Sequence, residues 1–310
     1  MTLSTTALHL QGIAPVPHLG IIRAVGADAA SFLHNQLTND VLLMKDGECR
    51  LAAFCNAKGR MQASFVVYKR SAEEVLLICR QDLLAQTVKR LSMFVLRAKV
   101  KLSDATADFQ LLGLAGDAAL DALNGASSEP WLRFKAGAAD VLTLYPALGQ
   151  ARAFWLAPQD VPLPAGTPLS AELWQVGEVM SGIAWVELAT FEAFVPQMLN
   201  YESVDGVNFK KGCYPGQEVV ARSQFRGTLK RRAFNAQSDA PMKAGQEVFS
   251  SLDGKQPCGL VAQAATDGAH HVAVLELQLS ATENSSLHLG AADGPTLSLL
   301  PLPYALRDDI

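Results

Sequence analysis

The sequence contains neither a C-x-x-C pair nor an H-E-x-x-H motif, and its five cysteines are odd in number and widely spaced. The chain therefore offers no obvious ligand set for zinc or for an iron–sulfur cluster, and no resident metal is expected. A run of about 18 apolar residues is also missing, so no membrane span is expected. The start of the chain lacks a basic segment followed by an apolar one, which argues against a secretory signal. Free thiols without a signal predict a protein of the reducing cytoplasm.

Aromatic and charged residues are both modest in number, at 7% and 18% of the chain. Together with 49% hydrophobic residues, this composition is typical of a folded globular protein and excludes a disordered one. A length of 310 residues is sufficient for two or three domains with a buried core. The net charge of −4 gives no support to nucleic-acid binding by bulk charge.

Positive charge is concentrated in one stretch, residues 208–232, which reads NFKKGCYPGQEVVARSQFRGTLKRR. From Asp205 to Arg232, seven Lys/Arg against two Asp/Glu give +5, and the chain total of −4 leaves −9 elsewhere. Such a local field suits a small anionic ligand, an acidic partner or RNA. A solvated basic surface would produce the same pattern, and the sequence leaves both explanations open.

The first third of the chain has the pattern of an α+β unit with an antiparallel sheet. Its predicted elements are a short helix within 26–40 capped by Asp28, two strands within 49–68 joined at a turn of 56–59, a strand at 74–79, a helix over 81–96 capped by Asp82, and a strand at 97–103. Asn and Gly supply the backbone conformations that the turn at 56–59 needs.

A second α+β unit follows. It is predicted to contain a strand, turn and helix over 109–125, strands near 140–145 and 151–156, and a helix over 170–183. Gly113 and Gly116 suggest a nucleotide loop, but the full glycine fingerprint is missing, so we interpret them as a turn. After Arg232 short strands alternate with Gly, Asp and Pro turns, which predicts a small β domain, a barrel, over 233–310.

Cys213 precedes a segment that can form a helix, GQEVVARSQ, with Pro215 at its first position. A thiol beside a helix N-terminus and after Lys210 and Lys211 would have an increased thiolate fraction. A small buried cysteine is the alternative, and local chemistry does not separate the two. A Cys–His hydrolase is not favoured, because all six histidines lie far from Cys213 in the sequence.

The motif KGCYPGQEVVAR, followed by RGTLKRR, resembles the signature of the YgfZ-type folate-binding proteins, which are relatives of the aminomethyltransferase (T-protein) of the glycine cleavage system. Further segments agree with this resemblance: FLHNQLTNDV, AAFCNAKGRMQASFVVY, RAKVKL and FVPQMLNYESVDGVNFKKGCY. The likeness runs from about residue 20 to residue 232, and the β-rich remainder suits the last domain of the family.

The resemblance implies a three-lobed aminomethyltransferase-like fold, with two ferredoxin-like α+β lobes around a central channel and a C-terminal β-barrel. The lobes would occupy roughly 1–105 and 106–232, with interleaving left open, and the barrel 233–310. The channel would bind tetrahydrofolate, whose glutamate carboxylates would meet Lys and Arg. We expect Cys213 on the channel wall.

The same resemblance implies the biological role. The family is linked to the assembly or repair of iron–sulfur clusters in certain enzymes, including those that thiolate tRNA. Its partners would therefore be folate and, transiently, iron–sulfur enzymes or assembly proteins, and direct contact with tRNA is not favoured. No membrane partner is expected.

One departure from the T-protein bears on catalysis. The T-protein has a neighbouring acidic pair on the second strand of the hairpin, where this sequence has Ala63 and Ser64. Neither residue can act as a general base. An accessory role is therefore expected, with a folate-dependent one-carbon transferase and a basic RNA-binding module as the alternatives.

The candidate site residues come from the matched segments. The candidate catalytic residues are Cys213, Lys211, Tyr214 and Arg222. The candidate folate-contact residues are Gln36, Asn39, Asp40, Asn56, Lys58, Arg60, Gln197, Asn200, Gly212, Gly216, Gln217, Glu218 and Arg226. Capping, turn formation or surface solubility would explain many of these residues equally well.

Overall fold

In the computed structural model, residues 8–225, 229–283 and 285–307 are described. The first half of the chain forms β1 (Gly12–Pro15), β2 (Leu19–Val25), α1 (Ala29–His34), β3 (Arg50–Cys55), β4 (Met61–Lys69), β5 (Glu74–Arg80), α2 (Gln81–Ser92), β6 (Lys101–Asp104), β7 (Phe109–Ala115), α3 (Asp117–Leu123), β8 (Arg133–Ala136), β9 (Ala139–Ala147) and β10 (Gln150–Pro158). The second half forms α4 (Ala171–Met180), α5 (Gln217–Phe225), β11 (Arg231–Ser238), β12 (Glu247–Ser250), β13 (Asp253–Thr266), β14 (His271–Gln278), β15 (Leu287–Leu289) and β16 (Thr296–Leu300).

These strands form two five-stranded antiparallel sheets and one closed barrel. The first sheet has the order β3-β4-β5-β2-β6, and the second has the order β1-β7-β10-β9-β8. The barrel closes through β11-β14-β13-β12-β15-β16. The predicted α+β class with a C-terminal β-barrel is confirmed.

The two α+β lobes interleave along the chain. The strand β1 pairs with β7 at the edge of the second sheet, although β2 to β6 belong to the first sheet. The chain therefore begins in the second lobe, crosses to the first lobe and returns. The barrel begins at Arg231, two residues before the predicted position of 233.

The helix α2 lies against the first sheet through Leu83, Leu84 and Leu91, which are buried. It ends at Ser92, four residues earlier than its apolar pattern predicted. The predicted cap at Asp82 is wrong. The residue before the helix is Arg80, and the Asp82 carboxylate instead accepts a hydrogen bond from the backbone N–H of Leu188 at 3.0 Å.

The helix α4 packs across the second sheet. Ser170 caps it by accepting a hydrogen bond from the Leu173 N–H at 3.1 Å. Trp174 lies on the sheet at Gly113, where an added Cβ would come within 2.5 Å of the indole. Gly113 is thus required for packing, and the interpretation of Gly113 as a turn residue is wrong, because it lies inside β7 and the turn falls at Gly116.

Candidate functional site

The segment that leads into the motif is fixed against the first lobe. The Thr38 hydroxyl donates to the carbonyl of Gly206 at 2.7 Å, and the Asn208 N–H donates to the carbonyl of Thr38 at 3.0 Å. The Asn39 amide nitrogen donates to the carbonyls of Leu51 and Asp205, at 2.8 and 2.6 Å. Asn39 therefore ties the motif segment to the first sheet.

The turn of the β3–β4 hairpin packs on the beginning of α5. Gly216 has a φ of +80°, and a Cβ added there would come within 2.4 Å of the Asn56 carbonyl oxygen and 2.7 Å of the Gly59 Cα. Only glycine permits this approach. The structure places α5 two residues later than predicted, because Pro215 and Gly216 form a turn and the helix begins at Gln217.

Lys211 is buried within the motif. Its Nζ donates to the carbonyl of Gly212 at 3.2 Å and lies 4.5 Å from the centre of the Tyr214 ring. Burial lowers the pKa of Lys211 to about 8, although Asp40 and Cys213 act in the opposite direction. The cation is therefore within electrostatic range of the thiol and loses its charge at a pH only slightly above neutral. Burial also raises the pKa of Tyr214, so its hydroxyl stays protonated.

A histidine that the sequence did not associate with the motif lies beside it. His34 Nδ1 is 3.1 Å from an Asp40 carboxylate oxygen, and a Cβ added at Gly212 would lie 3.6 Å from His34 Nε2. Burial raises the pKa of Asp40, but the Leu43 N–H and His34 outweigh it and the net shift is downward. His34 is the last residue of α1 and Asp40 lies in the loop six residues later, so no helical spacing in the sequence indicated this pairing.

Cys213 differs from the other four cysteines. It is exposed, whereas the other thiols are buried, and burial raises their pKa values: Cys49, Cys55, Cys79 and Cys258. A soluble reagent or partner can therefore reach the motif thiol directly. The sequence left open whether Cys213 is buried or exposed, and in the structure it is exposed.

An open cleft of about 730 Å³ lies next to the motif segment, between the two α+β lobes and α5. Asn39 and Arg50 line it from the first lobe, Trp131 from the second, and Lys210 and Gln224 from the motif region. Gln224 is buried, and its side-chain oxygen has no hydrogen-bond partner among the described residues. The volume lies within the usual range of ligand pockets.

The expectation that Cys213 lies on the wall of this cleft is not met. Lys210 lines the cleft, but the next side chain, Lys211, turns inward toward Asp40, and Gly212 and Cys213 then lie exposed. The thiol therefore lies three residues beyond the cleft wall and remains open to solvent.

A smaller inner cavity of about 30 Å³ lies behind the cleft, and Trp131 lines both. Arg152 is buried in its wall with an Nε that has no partner among the described residues, and burial lowers its pKa to about 10 although Glu178 opposes this. Burial raises the pKa of Glu178, but His18, at 2.9 Å, outweighs it and the net shift is downward. The cavity thus contains a buried cation with a free donor.

Several candidate contact residues have structural roles. Gln197 and Asn200 are fully buried and donate to the carbonyls of Val220 and Ala233. The Arg60 guanidinium donates to the carbonyl of Ala193. These contacts hold the motif region to the barrel and to the hairpin.

The remaining candidates lie around the hairpin turn and α5. The Asn56 side chain accepts from the backbone N–H groups of Lys58 and Arg60, at 2.9 and 3.1 Å, and Lys58 is exposed. Glu218 and Arg222 form an exposed ion pair at 2.7 Å. Gln36 has a buried side-chain oxygen without a partner in the described structure. Arg226 lies outside the described residues.

Much of the predicted positive charge is paired. Arg231 pairs with Glu276, and Arg232 forms a buried pair with Glu202. Because Arg222 is paired and Lys211 is buried, Lys210 and Lys230 are the described basic residues of 208–232 that stay exposed without an ion pair. The basic stretch is largely a set of structural contacts between the motif and the barrel.

No helix in the described ranges is long and apolar enough to cross a bilayer. The described residues also contain no group of three or more His, Cys, Asp or Glu side chains placed to hold a metal ion.

Two α+β lobes around a cleft, followed by a barrel, form an aminomethyltransferase-like fold. A family model described as the GCVT N-terminal domain matches residues 8–139. The crystal structure of glycine cleavage system aminomethyltransferase T from Bartonella henselae has a TM-score of 0.69 with this chain. The match covers 97% of this chain and 88% of that chain at 14% identity, and it therefore supports the fold alone.

Two further relatives are more similar to this chain in sequence than the aminomethyltransferase is. The tRNA-modifying protein YgfZ of Sodalis glossinidius is 31% identical over 298 residues, which cover 91% of this chain and 90% of the relative. The tRNA-modifying protein YgfZ of Yersinia pestis is 30% identical over 304 residues, covering 93% and 91%. The chain belongs to the YgfZ family, and the resemblance stated from the motif is confirmed.

Proposed function

We propose that this chain is a tetrahydrofolate-binding accessory protein that acts in tRNA modification, and that it does so by maintaining iron–sulfur clusters in the modifying enzymes through the thiol of Cys213. The observation that carries the proposal is the exposure of this one thiol on a loop fixed beside a cleft of about 730 Å³. The family name of the relatives, tRNA-modifying protein, supports the same direction.

The residues around the cleft fit a folate. A pterin needs both hydrogen-bond donors and acceptors in a dry pocket. Arg152 has a free buried donor, and Gln224 has a free buried acceptor, on either side of Trp131. The inner cavity of about 30 Å³ has room for about one water, so the outer cleft must supply most of the space. Lys210, which is exposed at the cleft without an ion pair in the described structure, would attract the glutamate carboxylates, whereas Arg50 at the cleft is paired with Glu48 at 2.8 Å.

When bound, tetrahydrofolate would supply one-carbon and pterin redox chemistry. The contribution of this chain is to bind it and to present a thiol. Trp131 would cover the ligand, because its indole lines both spaces and its Nε1 donates to the carbonyl of Val204 at 3.0 Å. The Lys211 ammonium, while it is charged, would lie within electrostatic range of the Cys213 sulfur.

The structural features do not favour the two alternatives. Ala63 and Ser64 are buried, and the Ser64 hydroxyl accepts a hydrogen bond from the Val186 N–H at 2.9 Å. No carboxylate therefore stands at the position that a transferase needs for proton transfer. An RNA-binding role for 208–232 would need free cations, and most of those in the described part are paired or buried.

The binding half of the proposal is tested by titrating the pure protein with tetrahydrofolate under anaerobic conditions. Arg152→Met should weaken binding at least about tenfold, because it removes a charged donor from a buried site. Arg23→Met is the matched control, since Arg23 forms a surface pair with Asp108 at 2.7 Å and should leave binding unchanged. Equal affinity of wild type and Arg152→Met would contradict the placement of the ligand.

The thiol half is tested in cells that lack the chromosomal copy of the gene. Cys213→Ser should lower the thiolated tRNA nucleosides, measured by mass spectrometry, while the purified variant still binds tetrahydrofolate. Cys258→Ser, which changes a buried barrel cysteine, should restore wild-type levels. Normal tRNA thiolation in the Cys213→Ser strain would refute the proposed role of the thiol.

A further inference from the structure

A second surface with unpaired charge lies on the first lobe, at the C-terminal end of α2 and the loop after it. Residues 89–101 contain five Lys/Arg and no Asp/Glu. All five cations are exposed, and none has an ion pair in the described structure: Lys89, Arg90, Arg97, Lys99 and Lys101. Lys101 lies on β6 and lines a separate pocket with Glu73 and Glu74, so we give the name α2 face to the surface of Lys89, Arg90, Arg97 and Lys99. Its charge contrasts with the paired charge of 208–232.

The α2 face also exposes large apolar side chains. Met93 is 67% exposed and Leu96 is 89% exposed, and both lie between the cations Arg90 and Arg97. Leu96 has a φ of +42°, which is rare for a residue other than glycine. Exposed apolar side chains that cluster within a charged rim are typical of interaction sites.

Met93 borders a concave groove of about 230 Å³. Phe54, Phe191 and Met93 form its apolar lining, and Gln86, Lys89 and Arg90 form its polar lining. A groove of this size accepts one large side chain from another molecule. A flat membrane surface would use projecting side chains and leave the groove empty, so the concave shape favours a folded partner.

The edge of the groove that faces the motif carries an exposed carboxylate, Glu192, near Arg90 and Lys58. Glu192 lies next to the groove residue Gln62, at 2.6 Å. Hydrogen bonds from Asn56 and Gln62 lower the pKa of Glu192, and Arg90 and Lys58 contribute to the same shift. Lys58 belongs to the hairpin turn that packs on Gly216. A molecule held on the α2 face would therefore reach the turn beside the motif loop.

We infer that the α2 face is the docking site for an acidic partner protein, which inserts one apolar side chain of an amphipathic helix into the groove and places Asp or Glu side chains against Lys89 and Arg90. Charge complementarity carries the choice of an acidic partner, because Lys89 and Arg90 line the groove without an ion pair in the described structure, and Arg97 and Lys99 follow on the adjoining loop of a chain of net charge −4. The α2 face offers little aromatic surface on which nucleic-acid bases could stack, since Phe94 already packs edge-on against Phe54 with 6.5 Å between the ring centres.

The test uses a fluorescent, helix-stapled peptide of about 16 residues, with two leucines four residues apart and glutamates beside them. It should bind the full chain saturably, measured by fluorescence anisotropy. The double variant Lys89→Glu/Arg90→Glu should weaken binding at least about tenfold. Gln86→Trp, which fills the groove without changing the charge, should also abolish it. Lys243→Glu/Lys255→Glu changes the charge equally on the barrel and should leave affinity within about twofold.

Each further outcome decides for or against the inference. A peptide with the leucines replaced by serine should not bind, and equal binding would show simple charge attraction and overturn the groove. Preferential binding of anionic lipid vesicles or of a single-stranded RNA oligonucleotide, with no binding of the acidic peptide, would also overturn it. The assay needs neither folate nor Cys213, so its result is separate from that of the proposed function.

Discussion

The ammonium of Lys211 lies 4.5 Å from the centre of the Tyr214 ring, inside a motif whose thiol is exposed. The ring face favours the charged form of the lysine, whereas burial favours the neutral form. Burial is the larger effect, and the pKa of Lys211 falls to about 8. Lys211 therefore keeps its positive charge at neutral pH and loses it at a slightly higher pH.

Lys211→Met should slow the alkylation of Cys213 by iodoacetamide about three- to tenfold at neutral pH, because the thiolate loses its nearby cation. Lys211 is protonated below its folded pKa and neutral above it. The advantage of the wild type over the variant should therefore be full below pH 8 and shrink as the pH rises through about 8. Mass spectrometry of the labelled chain measures the rate at each pH.

Lys210→Met is the matched control for this experiment, because Lys210 is the neighbouring lysine but is exposed and lines the cleft. Solvent screens its charge, so it should change the alkylation rate by less than about twofold. A rate ratio between wild type and Lys211→Met that stayed constant across the pH range would show that the lysine does not act through its charge.

The fold was largely predictable because the periodicities of the sequence are strong. The hairpin with its turn at Asn56–Gly59 and the barrel of short strands follow directly from alternation and turn residues. The placement of β1 could not be predicted, because Gly12–Pro15 is short and its partner β7 lies about a hundred residues away. The early end of α2 was missed because the apolar spacing continues past Ser92 into the loop.

The candidate site was less predictable, because charge in a sequence does not state which charges pair. The interpretation of 208–232 as a free basic cluster was correct in composition, but Arg231 and Arg232 are bound by Glu276 and Glu202 from elsewhere in the chain. The position of His34 beside Gly212 depends on a tertiary contact across about 180 residues. The requirement for glycine at Gly216 has the same origin, because it comes from contact with the Asn56 carbonyl oxygen about 160 residues away in the sequence.

Gly216→Ala should destabilise the protein by about 2–4 kcal/mol, since it combines an unfavourable φ with a clash against the Asn56 carbonyl oxygen. Gly137→Ala is the matched control: its φ is also positive, at +62°, but an added Cβ meets nothing within 4 Å. The control should cost about 1 kcal/mol. Urea unfolding measures the free energy of unfolding of both variants. Equal decreases would mean that the hairpin turn can move away from α5 at no cost in free energy.

Gln224→Leu should raise the free energy of unfolding by about 1 kcal/mol, because it removes a buried amide oxygen that has no partner in the described structure. It should also weaken tetrahydrofolate binding, since this oxygen is the free acceptor in the wall of the cleft. Thermal unfolding and ligand titration measure the two effects. A gain in stability together with a loss of ligand affinity is expected where a buried polar group serves to bind a ligand.

Gln237→Leu separates the two effects, because Gln237 has the same kind of unpartnered buried oxygen but lies on the barrel strand β11, outside the cleft lining. It should stabilise the chain by a similar amount and leave tetrahydrofolate affinity unchanged. If Gln224→Leu gained stability without any loss of affinity, its oxygen would not face the ligand. The acceptor side of the proposed pterin site would then have to be sought elsewhere around Trp131.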